Sequence, residues 1–268
     1  MKQYGISSFH EIEQEIDSHI ENIKRRGYSI IKGYFSKENC QKFSSKIESV
    51  YQNQKASFGE ENLKKINELD SARMLFVEDS DFLDLITNKK ILKIVSAFLG
   101  ENFILQLQNG IINRPVKEHH QTSWHRDIPY QEYTLSSPIA INVFYCLTPF
   151  NQNTGGTLLL PYSHLFPKAP SSSFFLENAI QPNLSAGDVI IFDSWVYHRA
   201  GENSSDITRY GINNLFTTPI LKQQIDIPKM LKGKHSDNAI LDKILGYKFE
   251  TPISVEDFRQ KRLQKSKQ

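Results

Sequence analysis

The texture of the sequence changes after Gly100, and this change constrains the fold more than any other feature. Beyond it, short apolar runs alternate with clusters of serine, asparagine, glycine and proline. The runs are Phe103–Asn113, Ile139–Leu147, Gly156–Leu160, Asp188–Phe192, Trp195–His198 and Arg209–Thr217. Short apolar strands separated by polar turns predict a β-sandwich or barrel in this part of the chain.

Helical patterns flank that region on both sides. Before it, apolar residues recur at three- and four-residue steps, opened by the capping-box pair Ser8 and Glu11 and later by Ser36, and the last of these patterns stops at Gly100. A short strand is predicted at Gly27–Ile31. Beyond the β region, helical spacing returns, and we predict one domain with a helical cover at 1–100, a β core at 103–218 and C-terminal helices at 228–268.

Composition limits the classes of partner. With 39% hydrophobic and 23% charged residues the chain is typical of an ordinary soluble protein. The net charge of +2 provides no general field for nucleic acid or membrane, and no apolar run reaches the roughly 18 residues of a membrane helix. The two cysteines, Cys40 and Cys146, do not indicate a disulfide framework. We therefore predict a cytoplasmic protein that acts on a small molecule, and leave its oligomeric state open.

The segment Trp124–Asp127 contains the first candidate metal ligands. In an extended chain, residues two apart point to the same side, so His125 and Asp127 can bind one ion. His-x-Asp occurs by chance in many proteins, and by itself it is weak support. A second histidine, His198, ends the apolar run that starts at Asp188, and two histidines with one carboxylate form the facial triad of non-haem Fe(II) sites.

An arginine follows the second histidine at the start of the next predicted strand. Arg209 lies 11 residues beyond His198 (209 − 198) and begins a segment expected to face inward. A buried arginine needs an anion, and its planar fork binds a carboxylate through two hydrogen bonds. The ordered set of His-x-Asp, histidine and arginine is far more specific than any of its members.

These motifs resemble the phytanoyl-CoA dioxygenase family of Fe(II)- and 2-oxoglutarate-dependent oxygenases. The similarity covers about 200 residues. It runs through Gly27-Tyr28, Ile112–Pro115, Trp124–Asp127, Gly155–His164, Ala186–Asp188, His198 and Arg209. The resemblance implies a double-stranded β-helix (jelly-roll, cupin-like) core, an α+β or mainly β fold, flanked by N- and C-terminal helices.

The resemblance also implies roles for individual residues. It places Fe(II) on His125, Asp127 and His198, and the distal carboxylate of 2-oxoglutarate on Arg209. The family contacts the co-substrate from other positions as well. One of these positions corresponds here to Gln108 or Asn113. Another, which only some members use, corresponds to Arg73. The implied reaction consumes O2 and releases succinate and CO2 while a C–H bond is hydroxylated.

The sequence departs from the family pattern at a few positions. Ala200 stands where some members have a hydroxyl residue, so Thr157 is a possible replacement contact. His164, in a turn that is otherwise typical of the family, is predicted to be structural.

Neighbours of the proposed ligands give further predictions. Arg126 and Tyr130 adjoin the first two ligands and are predicted to contact the substrate. His119 and His120 suggest a zinc site, but the cysteines that usually complete one are absent, and we predict a loop over the active-site mouth at residues 119–121.

Two other functions compete with a hydroxylase. One is a cupin-type metal enzyme that does not use 2-oxoglutarate, and the other is a non-catalytic binding barrel. Arg209 argues against the first and the intact triad against the second. Related halogenases have a small residue in place of the carboxylate, so Asp127 favours hydroxylation. Fold alone does not identify the substrate, which we predict to be a small polar metabolite or a sugar-derived intermediate.

Overall fold

This computed structural model describes residue 12 and residues 14–115, 121–128 and 135–266. In that part of the chain the helices are α1 (Glu15–Arg26), α2 (Lys37–Phe58), α3 (Glu60–Lys65), α4 (Leu75–Glu78), α5 (Asp84–Thr87), α6 (Lys89–Leu99), α7 (Ser172–Asn178), α8 (Ile227–Leu231), α9 (Ala239–Ile244) and α10 (Val255–Lys265). The strands are β1 (Tyr28–Ile31), β2 (Ser71–Arg73), β3 (Ile104–Asn113), β4 (Ala140–Cys146), β5 (Leu158–Leu159), β6 (Val189–Asp193), β7 (His198–Arg199) and β8 (Arg209–Thr217).

Several helices begin and end at the capping residues that the sequence indicates. The Ser36 hydroxyl accepts from the backbone N–H of Asn39 at 3.2 Å and starts α2. Gly100 follows α6, with a positive φ of 73° that glycine adopts readily. At the other end of the chain, Ser254 caps α10 in the same way as Ser36 caps α2. The capping box at residues 8–11 lies outside the described residues, and α1 begins at Glu15.

The β core consists of two antiparallel sheets. The larger sheet has the strand order β1-β6-β4-β8-β3-β2, and the smaller one pairs β5 with β7. An isolated antiparallel bridge between His125 and His198 continues the smaller sheet towards the loop that carries the His-x-Asp motif. This arrangement agrees with the predicted β core flanked by helices.

The edges of the larger sheet differ from the prediction that its strands come only from residues 103–218. Both edge strands belong to the N-terminal region, since β1 pairs with β6 and β2 pairs with β3. These strands cover backbone groups that would otherwise remain unpaired at each edge. The run Trp195–His198 also forms less strand than predicted, because β7 begins only at His198.

One apolar core connects the helices with the larger sheet. Ile47 of α2, Ile94 of α6, Val143 of β4 and Ile244 of α9 are fully buried in the same cluster. Helices from both ends of the chain therefore pack on the same sheet. Among the described helices, none is both long enough and apolar enough to cross a membrane.

Gly27 holds the end of α1 against the loop that leads to His198. It has φ 86°, and a Cβ placed there would lie 2.5 Å from Val196 Cγ2 and 2.6 Å from His164 Nδ1. Gly33 also has a positive φ, of 60°, but a Cβ at that position would have nothing within 4 Å. Gly33→Ala is therefore expected to lower the free energy of unfolding by only about 1 kcal/mol, the cost of a positive φ for alanine. Gly27→Ala is expected to lower it by about 2–4 kcal/mol, because the added Cβ also collides with its neighbours. Urea unfolding of both variants tests this, and equal losses would contradict it.

Candidate metal centre

Three potential metal ligands converge at the open end of the β core. The donor atoms of His125, Asp127 and His198 all lie within 4.8 Å of one another. Oδ1 of Asp127 is 3.6 Å from Nε2 of His198 and 3.9 Å from Nε2 of His125. Within the described part of the chain, no other group of three such residues is close enough to hold an ion.

Backbone pairing fixes these residues relative to one another. The N–H groups of His125 and His198 each donate to the carbonyl of the other residue at 3.0 Å. The N–H of Asp127 donates to the carbonyl of Ser194 at 3.3 Å, which ties the carboxylate to the same loop. The two motifs are more than 70 residues apart in sequence (198 − 125), and this short antiparallel bridge brings them together.

Each imidazole ring is oriented by a hydrogen bond between its Nδ1 and a backbone carbonyl. Nδ1 of His125 lies 2.8 Å from the carbonyl of Ser123, and Nδ1 of His198 lies 3.0 Å from that of Val196. Because a carbonyl can only accept, Nδ1 is the protonated nitrogen of both rings. The lone pairs of both Nε2 atoms are then directed towards Asp127, as is usual when histidine binds a metal.

The electrostatics of the cluster suit a divalent cation. Burial raises the pKa of the Asp127 carboxyl, but the neighbouring histidines outweigh it and hold that pKa below its ordinary value. Burial lowers the pKa of His198, and the Asp127 carboxylate reverses this, so the net direction is upwards. Oδ2 of Asp127 is buried without a hydrogen-bond partner among the described residues. Two nitrogens and one oxygen on one side of an ion match a non-haem Fe(II) site.

Arg209 lies in the same cavity, fully buried and without an anionic partner among the described residues. Arg209 is the first residue of β8 and is 1% exposed. Its guanidinium carbon lies 4.6 Å from the centre of the Phe150 ring. No carboxylate of the described residues lies within 4 Å of it, and its Nε has no hydrogen-bond acceptor there. Burial lowers the pKa of Arg209 to about 10, which leaves it charged at neutral pH. A buried, unpaired cation of this kind requires a bound anion.

The triad and Arg209 line one cavity of about 390 Å³. Its other lining residues are Arg73, Leu107, Asn109, Ile111, Gln121, Ser123, Arg126, Phe144, Thr157, Phe192, Arg199, Ala200, Asn213 and Gln224. Sequence reasoning missed Asn109, Asn213, Arg199 and Gln224. Asn213 is four residues after Arg209 on β8, so two-residue alternation could have found it.

Two predicted co-substrate contacts do not reach this cavity. The Gln108 amide accepts from the N–H of Phe76 at 3.1 Å and donates to the carbonyl of Phe82 at 3.0 Å, on the helical side of β3. Asn113 donates to the carbonyl of Gly201 at 3.0 Å and fastens a loop. The neighbouring Asn109 lines the cavity instead of Gln108, because successive side chains of a strand point to opposite sides.

Arg73, for which contact with the co-substrate was predicted, lines the cavity and is paired within the protein. Its Nε donates to Glu68 Oε2 at 2.7 Å, and its Nη2 also contacts that carboxylate. In the amide orientation that satisfies both groups, Asn109 accepts from Nη1 of Arg73 at 2.6 Å. The carboxylate of Glu68 therefore already neutralises this guanidinium.

Arg126, for which substrate contact was predicted, lines the cavity and also bonds to the backbone around the metal ligands. Its Nε donates to the carbonyl of Trp195 at 2.8 Å, and its Nη2 donates to those of Ser163, at 2.9 Å, and Phe166. The guanidinium also lies 4.1 Å from the Tyr197 ring centre, and burial lowers its pKa. Arg126 therefore holds together the loops around the metal ligands through its Nε and Nη2 donors.

This clamp makes a prediction about stability. Arg126→Gln removes the guanidinium hydrogen bonds to the backbone carbonyls at 163, 166 and 195, so it is expected to lower the free energy of unfolding of the metal-free protein by about 2–4 kcal/mol. Arg25→Gln, at an exposed position on α1, is the matched control and should change it by less than about 0.5 kcal/mol. An Arg126→Gln variant as stable as the parent would show that the guanidinium is not a structural clamp.

The remaining histidines contribute nothing to the metal cluster in the described part of the chain. Nε2 of His164 lies 3.3 Å from the carbonyl of Lys24, which agrees with the structural role predicted for it. The predictions for His119, His120 and Tyr130 lie outside the described residues. Of the predicted loop at 119–121, Gln121 is described, and it lines the cavity.

Comparison with known proteins identifies the family. The model of the phytanoyl-CoA dioxygenase (PhyH) family matches residues 23–211, which include the triad and Arg209. The chain belongs to the phytanoyl-CoA dioxygenase family, and the resemblance seen in the sequence is confirmed. It is therefore an oxygenase that uses iron and 2-oxoglutarate, and the His-Asp-His cluster provides ligands of the expected kind.

Individual proteins and a solved structure are also similar to this chain. The Mycobacterium tuberculosis protein Rv1501 is 29% identical over 246 residues, which cover 87% of this chain and 88% of the relative. Dioxygenase cdmD of Talaromyces verruculosus is 23% identical over 219 residues, covering 71% and 70% of the two chains. A crystal structure of the epimerase SnoN with Fe3+, α-ketoglutarate and nogalamycin RO has a TM-score of 0.58 at 14% identity, covering 76% of this chain and 84% of SnoN. This last likeness confirms the fold.

Proposed function

We propose that this oxygenase hydroxylates a C–H bond of a small polar metabolite or sugar-derived intermediate, with release of succinate and CO2. His125, Asp127 and His198 bind the iron in this proposal, and Arg209 binds the distal carboxylate of 2-oxoglutarate. The observation that carries it is the burial of an unpaired Arg209 in the same cavity as the triad. A buried cation is costly unless an anion pairs with it, and the distal carboxylate of 2-oxoglutarate is such an anion.

The chain contributes positions and surroundings to the reaction. Bound iron and 2-oxoglutarate supply the oxidising chemistry with O2. Asp127 occupies one ligand position with a carboxylate, which favours hydroxylation over halogenation. Apolar side chains of Ile111, Phe144 and Phe192 line the cavity and limit the access of water to the reacting atoms. Gly211 leaves room for the rings of Phe144 and Phe150. A Cβ at position 211 would lie 3.0 Å from a ring atom of Phe144 and 2.9 Å from one of Phe150.

Polar side chains around the cavity support a polar substrate. Asn109, Gln121, Gln224 and Thr157 line it beside the metal ligands, and amides and hydroxyls recognise the hydroxyl groups of sugars. A volume of about 390 Å³ suits a small molecule. Cytoplasmic location and the lack of a nucleic-acid or membrane partner stay predictions from composition.

Substrate-dependent turnover tests this proposal. The iron-loaded enzyme would be incubated with 2-oxoglutarate and O2 together with sugars, sugar acids, amino acids or acyl-CoA esters, and both succinate and the second product would be measured. We expect a polar compound to accelerate succinate formation at least about tenfold and to gain one oxygen atom. Acceleration by acyl-CoA esters alone, or a product of unchanged mass, would contradict hydroxylation of a polar metabolite.

A further inference from the structure

We propose that Arg199 binds an anionic group of the substrate, a carboxylate or a phosphate ester, and so fixes which carbon faces the metal. This inference rests on the proposed function, because it assigns Arg209 to 2-oxoglutarate and leaves Arg199 for the substrate. Arg199 directly follows the ligand His198 in β7 and lines the same cavity.

The hydrogen bonds of Arg199 leave much of its guanidinium unused. Its Nη1 makes two long contacts, at 3.3 Å to the carbonyl of Thr122 and at 3.4 Å to that of Ala200. Its Nε is buried and has no acceptor among the described residues. No carboxylate in that part of the chain lies within 4 Å of this side chain. Such a cation is available for an anion that enters the cavity.

The other arginines of the cavity have partners or an assigned anion. Arg73 is paired with Glu68, and Arg126 donates to three backbone carbonyls. Arg209 and Arg199 are the two cavity arginines that, in the described part of the chain, have no carboxylate partner and a buried Nε without an acceptor. Arg209 is the more buried of the two, which suits the co-substrate, and Arg199 is partly exposed, which suits the group that arrives last.

The charges of the loaded site lead to the same conclusion. Among the described residues that line the cavity, Asp127 provides the carboxylate. Its negative charge and the two negative charges of 2-oxoglutarate together balance the positive charges of Fe(II) and Arg209. Arg126 and Arg199 are then left without a carboxylate in the described part of the chain. Arg126 donates to three backbone carbonyls, whereas the Nε of Arg199 has no acceptor there, so Arg199 is the cation that still lacks compensation. A negatively charged substrate compensates it, whereas a neutral substrate does not.

Aromatic stacking holds Arg199 at a defined place relative to the metal. Its guanidinium carbon lies 5.4 Å from the Trp124 ring centre, and Trp124 stacks on Phe175 at 4.7 Å. Trp124 precedes the ligand His125, just as Arg199 follows the ligand His198. The distance from the anion-binding cation to the metal is thus fixed by both ligand-bearing segments, and this distance selects the carbon that is oxidised.

Binding of matched sugars tests the proposal directly. Protein loaded with redox-inactive Zn(II) and saturated with 2-oxoglutarate, which occupies Arg209, would be titrated calorimetrically with glucose, glucuronate, glucose 6-phosphate and inorganic phosphate. We expect at least one anion to bind about tenfold or more tightly than glucose. Glucuronate and glucose 6-phosphate distinguish a carboxylate from a phosphate ester.

Variants then assign that preference to Arg199. Arg199→Gln should abolish it, Arg199→Lys should restore part of it, and Arg25→Gln on α1 should leave it unchanged. The 2-oxoglutarate affinity of each variant, measured in the same titrations, shows that its site is folded. Parent-like anion binding by Arg199→Gln, or no anion binding by the parent, overturns the proposal. Failure of the parent to bind 2-oxoglutarate contradicts the proposed function instead.

Discussion

Arg209→Ala is expected to raise the dissociation constant of 2-oxoglutarate by roughly two to three orders of magnitude. Arg209 is 1% exposed and has no carboxylate partner among the described residues, so the bound co-substrate supplies the anion. Removing one partner of a buried ion pair costs about 3–5 kcal/mol, since the other charge stays desolvated and unpaired. Each 1.4 kcal/mol corresponds to about a factor of ten in affinity. Equilibrium titration of the metal-loaded, oxygen-free variant measures this loss.

Two comparisons make the Arg209 result specific. Metal affinity should remain close to that of the parent, because Arg209 is not one of the three converging ligands. Arg209→Lys should keep part of the co-substrate affinity, since an ammonium group preserves the charge without the planar fork. Parent-like 2-oxoglutarate binding by both variants would show that the co-substrate is anchored elsewhere.

Alanine at His125, Asp127 or His198 is expected to abolish stoichiometric Fe(II) binding and succinate formation. Each change removes one of three donors that lie within 4.8 Å of one another. Loss of residues that only orient such ligands already costs about 10- to 100-fold in metal affinity, so loss of a ligand should cost at least about 100-fold. Metal content after dialysis against a limiting chelator provides the measurement.

His235→Asn is a suitable control for the ligand variants. His235 lies in the turn before α9 with φ 68°, a conformation that asparagine also adopts, so the change removes an imidazole without backbone strain. Full metal binding by His125→Ala would contradict the assignment and make His119, His120 and His164 the next residues to test. Nickel or zinc bound in the purified parent would not contradict it, because nitrogen and oxygen ligands generally favour these metals over Fe(II).

The sequence predicted those parts of the fold that depend on neighbouring residues. Caps placed the start of α2 and the end of α6, and apolar runs placed β3, β4 and β8 within a residue of their observed bounds. The edge strands β1 and β2 were not assigned to the larger sheet, because their partners in β6 and β3 are distant in sequence. Four-residue and three-residue strands have too little pattern to specify such partners.

The site was predictable where the chemistry requires particular residue types. The His-x-Asp motif, His198 and Arg209 have an order and spacing that the structure brings into one cavity. The sequence pointed to Gln108 or Asn113, whereas Asn109 is the residue of β3 among these that lines the cavity. Every residue of β3 is buried, so polarity does not show which face is turned to the cavity. The role of Arg126 depends on backbone carbonyls at 163, 166 and 195, which no side-chain pattern reveals.

The most direct measurement is an oxygen-free titration of the parent with 2-oxoglutarate, with and without Fe(II), followed by admission of O2. One 2-oxoglutarate should bind per iron-loaded chain, with much weaker binding to the metal-free protein. Each 2-oxoglutarate consumed after O2 enters should then give one succinate. Binding that does not depend on the metal, or consumption of O2 without succinate, would contradict a site in which the triad and Arg209 hold the two components of one oxygenase centre.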